Sequence, residues 1–451
     1  MISARRVMVI AVLAFATFHS TWALTHGWPC MTLCLGCLAI LTRVSSKRVA
    51  VYGGLALGLA FYGPQLGFFW NIFGAAAILL WLVLAFWIAV FLLLGNLAWR
   101  ATPPAVAILL MPFLWTATEY FRGELYYLKF TWLSAGYSGC PQPWLATLGV
   151  YGVGFVMMAI ASCLVGPVVR LRYVGVGACA VIGCVLWLVP TGPAKPADAA
   201  PTLRAAGVQL EFPNESGVAA ALERLIAKEP GAQLLVMSEY TFRDPPPQLV
   251  RDICRRHGKY LIAGGKRRLP DGRYYNTAFV VGPDGNIVFE QAKSVPVQFF
   301  DDGLPAAGRR VWQSPWGPIG ICICYDLSYR RVVDDLVAQG ARMLVVPTMD
   351  AEYWGEYEHR NLHARIAPTR AAEYGIPVVR VCSSGVSQIV DDRGRVIASG
   401  GYPGQGETLA GDIWMKGAGR IPLDRHLAWV CLAVALGMLV YTRVKRRRLA
   451  Q

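Results

Sequence analysis

Gly317-Pro318-Ile319-Gly320-Ile321-Cys322-Ile323-Cys324-Tyr325-Asp326 decides how the chain is read. It predicts a short buried strand over Gly320–Cys324: apolar, partly β-branched residues that end on a cysteine followed by polar, turn-tolerant ones. Side chains alternate along a strand, so Cys322 and Cys324 share a face, and only the one at the strand's end can emerge from the sheet. Strand C-termini in α/β sheets are where reacting groups are presented. Cys324 is therefore a candidate nucleophile. An isolated cysteine is more often a small buried hydrophobe, so the rest of the chain must decide.

The chain has 451 residues, of which 55% are hydrophobic and 16% charged. That is too apolar for a soluble protein of this size. The apolar residues crowd positions 1–190, thin out from about 200 to 420, and return at 426–442. This composition divides the chain into a membrane domain of about seven helices (1–190), a water-soluble domain (200–415) and a C-terminal membrane helix (425–443). The net charge of +15 does not imply nucleic acid. Much of it (Arg5, Arg6, Arg43 to Arg48, Arg100, Arg170, Arg172, Arg443 to Arg448) flanks apolar runs, the positive-inside pattern of a membrane protein. The soluble part carries no interleaved basic and aromatic groove.

Membrane spans are expected at about 7–24, 29–43, 49–66, 73–97, 104–121, 145–168, 173–190 and 425–443. The first is not read as a cleaved signal, because no small-residue cleavage site follows it. With the N-terminus inside, the loops bearing Arg43 to Arg48, Arg100 and Arg170 to Arg172 all fall inside, as does the tail Lys445-Arg446-Arg447-Arg448. Seven crossings then place the soluble domain outside, which in a bacterium is the periplasmic side of the inner membrane. Of the twelve cysteines, Cys30, Cys34, Cys37, Cys163, Cys179, Cys184 and Cys431 lie in apolar runs as packing residues. Cys30, Cys34 and Cys37 near His26 have a metal-like look, but helix packing accounts for them better. The rest form no disulfide framework. No metal or cofactor is expected, and the protein is read as a monomer.

After the linker Pro190 to Pro201, short strands alternate with helices. Strands are predicted at 203–209, 234–237 and 260–263, with helices at 216–227 and 248–257. A hairpin follows, 275–281 and 287–292, turning at Gly282-Pro283-Asp284-Gly285. Beyond strand 320–324 come helix 328–339, strand 343–347, helix 358–374, strand 377–381 and a hairpin around Asp391-Asp392-Arg393-Gly394. This is an α/β domain of mixed sheets covered by helices.

A thiol needs a base or a positive field before it acts as a nucleophile. Glu239 follows the strand ending at Met237, Lys293 closes the second hairpin strand, and Asp326 lies two residues beyond Cys324. A carboxylate can take the thiol proton and return it to a leaving group, and an ammonium can stabilise an oxyanion. Taken singly, Glu239 and Lys293 would be surface residues.

The order Glu, Lys, Cys, each following a strand, resembles the nitrilase superfamily and its α-β-β-α sandwich. The chain as a whole resembles the apolipoprotein N-acyltransferase family, a membrane-embedded branch with a periplasmic nitrilase-like domain. The resemblance is carried by Leu114 to Gly123, Trp132 to Ser138, Tyr274 to Ala278 with Asn276, Ile323 to Asp326, Asp350 to Gly355, His363 and Arg370 to Glu373. It implies that Cys324 is the nucleophile, Glu239 the general base and Lys293 the oxyanion stabiliser. Asp301, Asp326 and His363 would support them, and Tyr325, Tyr353 and Trp354 would contact substrate. The implied partners are a membrane phospholipid as acyl donor and a diacylated apolipoprotein as acceptor, linked by a thioester on Cys324.

Three departures stand out. Ser238 replaces the proline that usually precedes the base, and Asp326 stands where the family has glutamate. The run Lys293-Ser294-Val295-Pro296-Val297-Gln298-Phe299-Phe300-Asp301-Asp302 offers at best Asp301 for the family's second glutamate. These leave open a divergent acyltransferase with another acceptor, a membrane-anchored carbon–nitrogen hydrolase (amidase) and a silent scaffold. Tyr353, Trp354 and Tyr357 are equally readable as packing aromatics. Glu119 and Arg122, three apart on a helix, are read as a structural ion pair.

Overall fold

The computed structural model describes residues 3–140, 142–188, 202–355, 358–401 and 406–450. The linker expected at Pro190 to Pro201 and Tyr357 lie outside them. The chain divides into two compact units, residues 1–194 with 422–451 and residues 195–421.

The first unit is helical: α1 (Ala4–Ala23), α2 (Trp28–Leu41), α3 (Lys47–Gln65), α4 (Phe68–Phe73), α5 (Ala77–Ala101), α6 (Pro104–Tyr120), α7 (Gln142–Val165), α8 (Val169–Leu188) and the C-terminal helix Asp424–Ala450. A helix stands at each of the eight predicted spans. Among the described residues, five stretches are long and apolar enough to cross a membrane: Ala4–Ala23, Phe68–Ala101, Pro104–Leu125, Gln142–Val165 and Asp424–Lys445. α2 is apolar but short. α3 falls outside this group, being diluted by Lys47 and Arg48.

Small residues set the packing of this unit. A Cβ on Gly54 or Gly58 of α3 would lie 2.5 Å from the Cα of Ala89 or Ala85 in α5, so glycine lets the two backbones touch. α7 breaks at Gly149, whose φ of 72° favours glycine. The C-terminal helix is tied to that break: the Tyr151 N–H donates to Asp424 Oδ2 at 3.1 Å.

The second unit holds β1 (Leu203–Val208), α9 (Glu215–Lys228), β2 (Leu234–Val236), α10 (Gln248–His257), β3 (Tyr260–Arg268), β4 (Tyr274–Val281), β5 (Ile287–Ala292), β6 (Val311–Ser314), β7 (Gly317–Ile321), α11 (Arg330–Ala338), β8 (Met343–Thr348), α12 (Glu358–Ala364), α13 (Ile366–Tyr374), β9 (Val378–Cys382), β10 (Gln388–Val390), β11 (Val396–Ser399) and β12 (Thr408–Ile413). They build two six-stranded sheets, ordered β12-β1-β2-β3-β4-β5 and β11-β10-β9-β8-β7-β6. The central strands of each run parallel and the outer ones antiparallel. The central strands are continuous apolar runs because both faces are covered. Val218, Leu222 and Leu225 of α9 and Val250 and Ile253 of α10 pack with Leu235 and Leu261 of the first sheet. In the second sheet, Gly320 of β7 lies under Leu336 of α11. The inner faces of the sheets meet at Gly207 of β1, where a Cβ would lie 2.6 Å from Val381 Cγ2 of β9. The result is an α-β-β-α sandwich, the predicted fold class.

Three details differ from the sequence reading. β7 stops at Ile321, so neither Cys322 nor Cys324 ends a strand: the chain coils after Ile321 and enters a 3-10 turn at Cys324–Ser328. The helix predicted over 358–374 is two helices meeting at Arg365. β6 and β12, edge strands of the two sheets, carried no signal strong enough to be predicted.

Candidate active site

The functional side chains sit at the ends of four strands. Glu239 lies three residues past β2, where the chain crosses over β3 at Gly264: a Cβ there would meet the Glu239 Cα at 2.6 Å. Lys293 directly follows β5, its N–H bonded to the Asn276 carbonyl of β4 at 2.8 Å. Cys324 opens its 3-10 turn with a φ of 50°, a left-handed backbone that a non-glycine residue holds only when its surroundings impose it. Asp326 supplies that restraint. Its carboxylate accepts the N–H groups of Ile323 (3.1 Å), Ser294 (3.0 Å) and Val295 (2.7 Å). One side chain thereby fastens the cysteine turn to the segment that follows Lys293.

The Lys293 ammonium, 1% exposed, lies between two carboxylates: 2.9 Å from Glu239 Oε1 and 2.7 Å from Asp302 Oδ2. Asn276 Nδ2 donates to both acids, at 2.5 Å to Glu239 and 2.9 Å to Asp302. Met349, just past β8, connects base and thiol through its backbone. Its N–H donates to Glu239 Oε2 at 2.9 Å, and its carbonyl lies 3.7 Å from Cys324 Sγ. Two of the three ammonium donors are committed to carboxylates, which leaves the third for an incoming oxygen.

Burial sets the proton affinities. It pushes the Cys324 thiol well above its ordinary value, with the Glu239 charge adding to the rise and Lys293 opposing it. Cys324 is therefore a neutral thiol at rest, and its proton must leave as attack occurs. Burial also raises Glu239 against the pull of Lys293, which makes it a carboxylate with unusual affinity for a proton. Asp302 behaves oppositely: burial would raise it, but Lys293 and its hydrogen-bond donors hold it below the ordinary value. Lys293 is opposed by burial yet lifted well above its usual value by Asp302 and Glu239. Of the two acids, Asp302 is the one held as the anion and Glu239 the one with the higher proton affinity.

The structure thus draws Glu239, Lys293, Cys324 and Asp326 together and corrects one assignment. Asp302, not Asp301, contacts Lys293. The chain turns at Phe299 (φ 71°), which leaves the Asp301 side chain exposed and directs Asp302 inward. The Asp301 carbonyl accepts the Tyr274 hydroxyl at 2.6 Å. The Tyr325 ring packs edge-on against Tyr329, centroids 5.0 Å apart. Trp354 packs against Phe300 (5.8 Å) and His359 (5.5 Å), and Tyr353 is 62% exposed. His363 belongs to a buried network around Asp350. It pairs with Asp350 at 2.7 Å, and Arg380 holds the other Asp350 oxygen at 2.8 Å. This buried network fixes the residue next to Met349. Sequence reasoning missed Asp302, Tyr240, Met349 and Arg380. Met349 acts through its backbone and leaves no side-chain signal, whereas an acidic pair after Lys293 was visible without its register.

Among the described residues, Asp350, His359 and His363 form the one group able to offer a metal three ligand atoms, all within 4.8 Å of one another and buried. The Asp350 charge is already matched there by Arg380, with His363 hydrogen-bonded to its other oxygen.

A buried carboxylate, lysine and cysteine lie together on this α-β-β-α sandwich, and residues 205–422 match the carbon–nitrogen hydrolase family model. Residues 8–163 match the model of the apolipoprotein N-acyltransferase N-terminal domain. The chain is 26% identical to the apolipoprotein N-acyltransferase of Nitrosomonas europaea, covering 88% of both chains. It is 27% identical to that of Azotobacter vinelandii, covering 93% of this chain and 91% of the relative. An omega-amidase of Xenopus laevis is 25% identical over 34% of this chain and 62% of its own. A solved carbon–nitrogen hydrolase of Helicobacter pylori aligns with a TM-score of 0.42 at 19% identity, covering 48% of this chain and 89% of its own. Over most of its length the chain is thus similar to the apolipoprotein N-acyltransferases, at 26–27% identity.

Proposed function

We propose that the protein N-acylates the N-terminal diacylglyceryl-cysteine of apolipoproteins, using a membrane phospholipid as donor and Cys324 as the acyl carrier. The observation that carries the reading is the sealed Glu239–Lys293–Cys324 cluster in a chain whose other unit matches the acyltransferase N-terminal domain.

In the first half-reaction Glu239 takes the Cys324 proton while the sulfur attacks the phospholipid ester carbonyl. The new S–C bond places negative charge on the carbonyl oxygen, which the third Lys293 donor meets. The intermediate collapses by breaking the C–O bond. Glu239 returns its proton to the departing glycerol oxygen, and lysophospholipid leaves. In the second half, the free α-amine of the acceptor attacks the thioester and Glu239 takes a proton from its nitrogen. The C–S bond breaks, the sulfur regains a proton, and the acyl chain remains as an amide. Burial favours this order, because water reaching the thioester would hydrolyse it.

On this reading the seven predicted spans before the linker and the C-terminal helix cross the bacterial inner membrane, with the catalytic unit (about 200–415) on the periplasmic side. The match to an omega-amidase supports a second reading, in which water resolves the thioester. One assay separates them. Purified protein is given phosphatidylethanolamine and a diacylated lipopeptide, and the products are weighed. A lipopeptide heavier by one acyl chain supports the transferase; free fatty acid with unchanged lipopeptide supports the hydrolase.

A further inference from the structure

The residue following the base carries an unexplained feature. Tyr240 holds a left-handed backbone, φ 52°, although it is neither glycine nor asparagine. That conformation turns its side chain toward the second acid, and its hydroxyl donates to Asp302 Oδ1 at 2.8 Å. The ring is held in turn, with Lys266 Nζ 5.4 Å from its centroid and 4.0 Å from that of Tyr274. Consecutive residues therefore deliver the base and the clamp on its partner carboxylate, and both acids grip the same ammonium. Asn276 Nδ2 and the Val297 N–H (2.8 Å) complete the cage around Asp302. Remove the hydroxyl and Asp302 keeps its charge but loses one of the two donors on its Oδ1, leaving Asn276 alone there and Oδ2 and the ammonium beneath it freer to turn.

We propose that Tyr240 is a positioning residue: through Asp302 it orients Lys293 so that the free ammonium donor faces the oxyanion formed at Cys324. The effect belongs to the transition state, since the oxyanion does not exist in the bound ester. It therefore touches the maximal rate and spares substrate affinity. The proposal rests on the acyl-transfer reading only for the natural substrate.

The test is a double-mutant cycle on the full-length protein in detergent, with Tyr240→Phe, Asp302→Asn and the pair, reading acylation of Cys324 in a single turnover. Two donors are used, phosphatidylethanolamine and the soluble ester p-nitrophenyl butyrate. Tyr240→Phe is expected to lower the maximal rate about tenfold, the scale of one charge-assisted hydrogen bond, with the half-saturating donor concentration unchanged. On the Asp302→Asn background it is expected to cost less than about twofold, because the clamped side chain no longer carries the charge that grips Lys293. A full rate in Tyr240→Phe, an equal loss in both backgrounds, or a loss in half-saturation alone would overturn the proposal. Should Tyr240→Phe not fold, Asp302→Ala removes the same contact from the acceptor side and must show at least the same loss in maximal rate. If only the phospholipid fails to acylate the wild type, the lipid-donor reading falls, while the ester still decides the role of Tyr240.

Discussion

Lys293 Nζ lies 2.7 Å from Asp302 Oδ2, with both side chains almost sealed from water. This pair, together with Glu239 on the other side of the ammonium, makes the cation both a structural and a chemical requirement. Removing one partner of a buried pair leaves a charge with neither water nor counter-ion.

Lys293→Met is therefore expected to do two things. It should abolish acylation, and it should lower stability by ~3–5 kcal/mol by leaving Glu239 and Asp302 face to face. Thermal unfolding of the variant in detergent checks the second effect, and a melting temperature equal to wild type would contradict it. Lys293→Arg keeps the charge but not the compact ammonium, so it should recover stability better than rate.

The rate of Cys324 acylation should rise with pH through an apparent pKa above the ordinary glutamate value of 4.5. Burial raises Glu239, and only its ionised form can take the thiol proton. No second rise is expected near pH 9, because Cys324 and Lys293 are both held well above their ordinary values. A pH profile of single-turnover acylation reads both limbs. An acid midpoint at or below 4.5 would remove Glu239 as the base.

Asp326 fastens the cysteine turn through three backbone N–H groups, while burial pushes its carboxyl up to about 6. Asp326→Ala should slow acylation by about 10–100-fold, as expected when a nucleophile moves by a fraction of an ångström. Asp326→Asn, which keeps one acceptor oxygen, should lose less. Equal rates in Asp326→Ala and wild type would show that the turn holds itself.

Asp350 is held well below its ordinary value: burial opposes its charge, but His363 and Arg380 outweigh it. A depressed acid contributes stability above its unfolded pKa and loses it as pH falls toward the folded one. Arg380→Met should cost ~3–5 kcal/mol at pH 7. That gap to wild type should narrow as the pH drops below about 4. Denaturant melts at pH 7 and pH 3 measure it; a gap that widens in acid would contradict the pairing.

How far the sequence carried depended on what each feature leaves in one dimension. The helices of the first unit were readable because apolar runs of near-span length have few alternatives. The central strands were readable for the same reason, as in Met343 to Pro347, whereas the edge strands β6 and β12 mix polar and apolar residues over four to six positions. Glu239, Lys293 and Cys324 were legible as candidates beyond strands, and the structure brings them together. The choice between Asp301 and Asp302 was not, because it hangs on a positive φ at Phe299 inside a loop without periodicity. The same holds for Cys324, whose left-handed turn three residues beyond β7 has no signature in an otherwise strand-like run.

The most direct test of acyl transfer through Cys324 is the intact mass of the full-length protein after incubation with labelled phosphatidylethanolamine. The account predicts one added acyl chain, absent from Cys324→Ala and discharged by a diacylated lipopeptide that gains the label as an amide. A folded wild-type protein that gains no mass from any phospholipid, or a label that persists in Cys324→Ala, would contradict it.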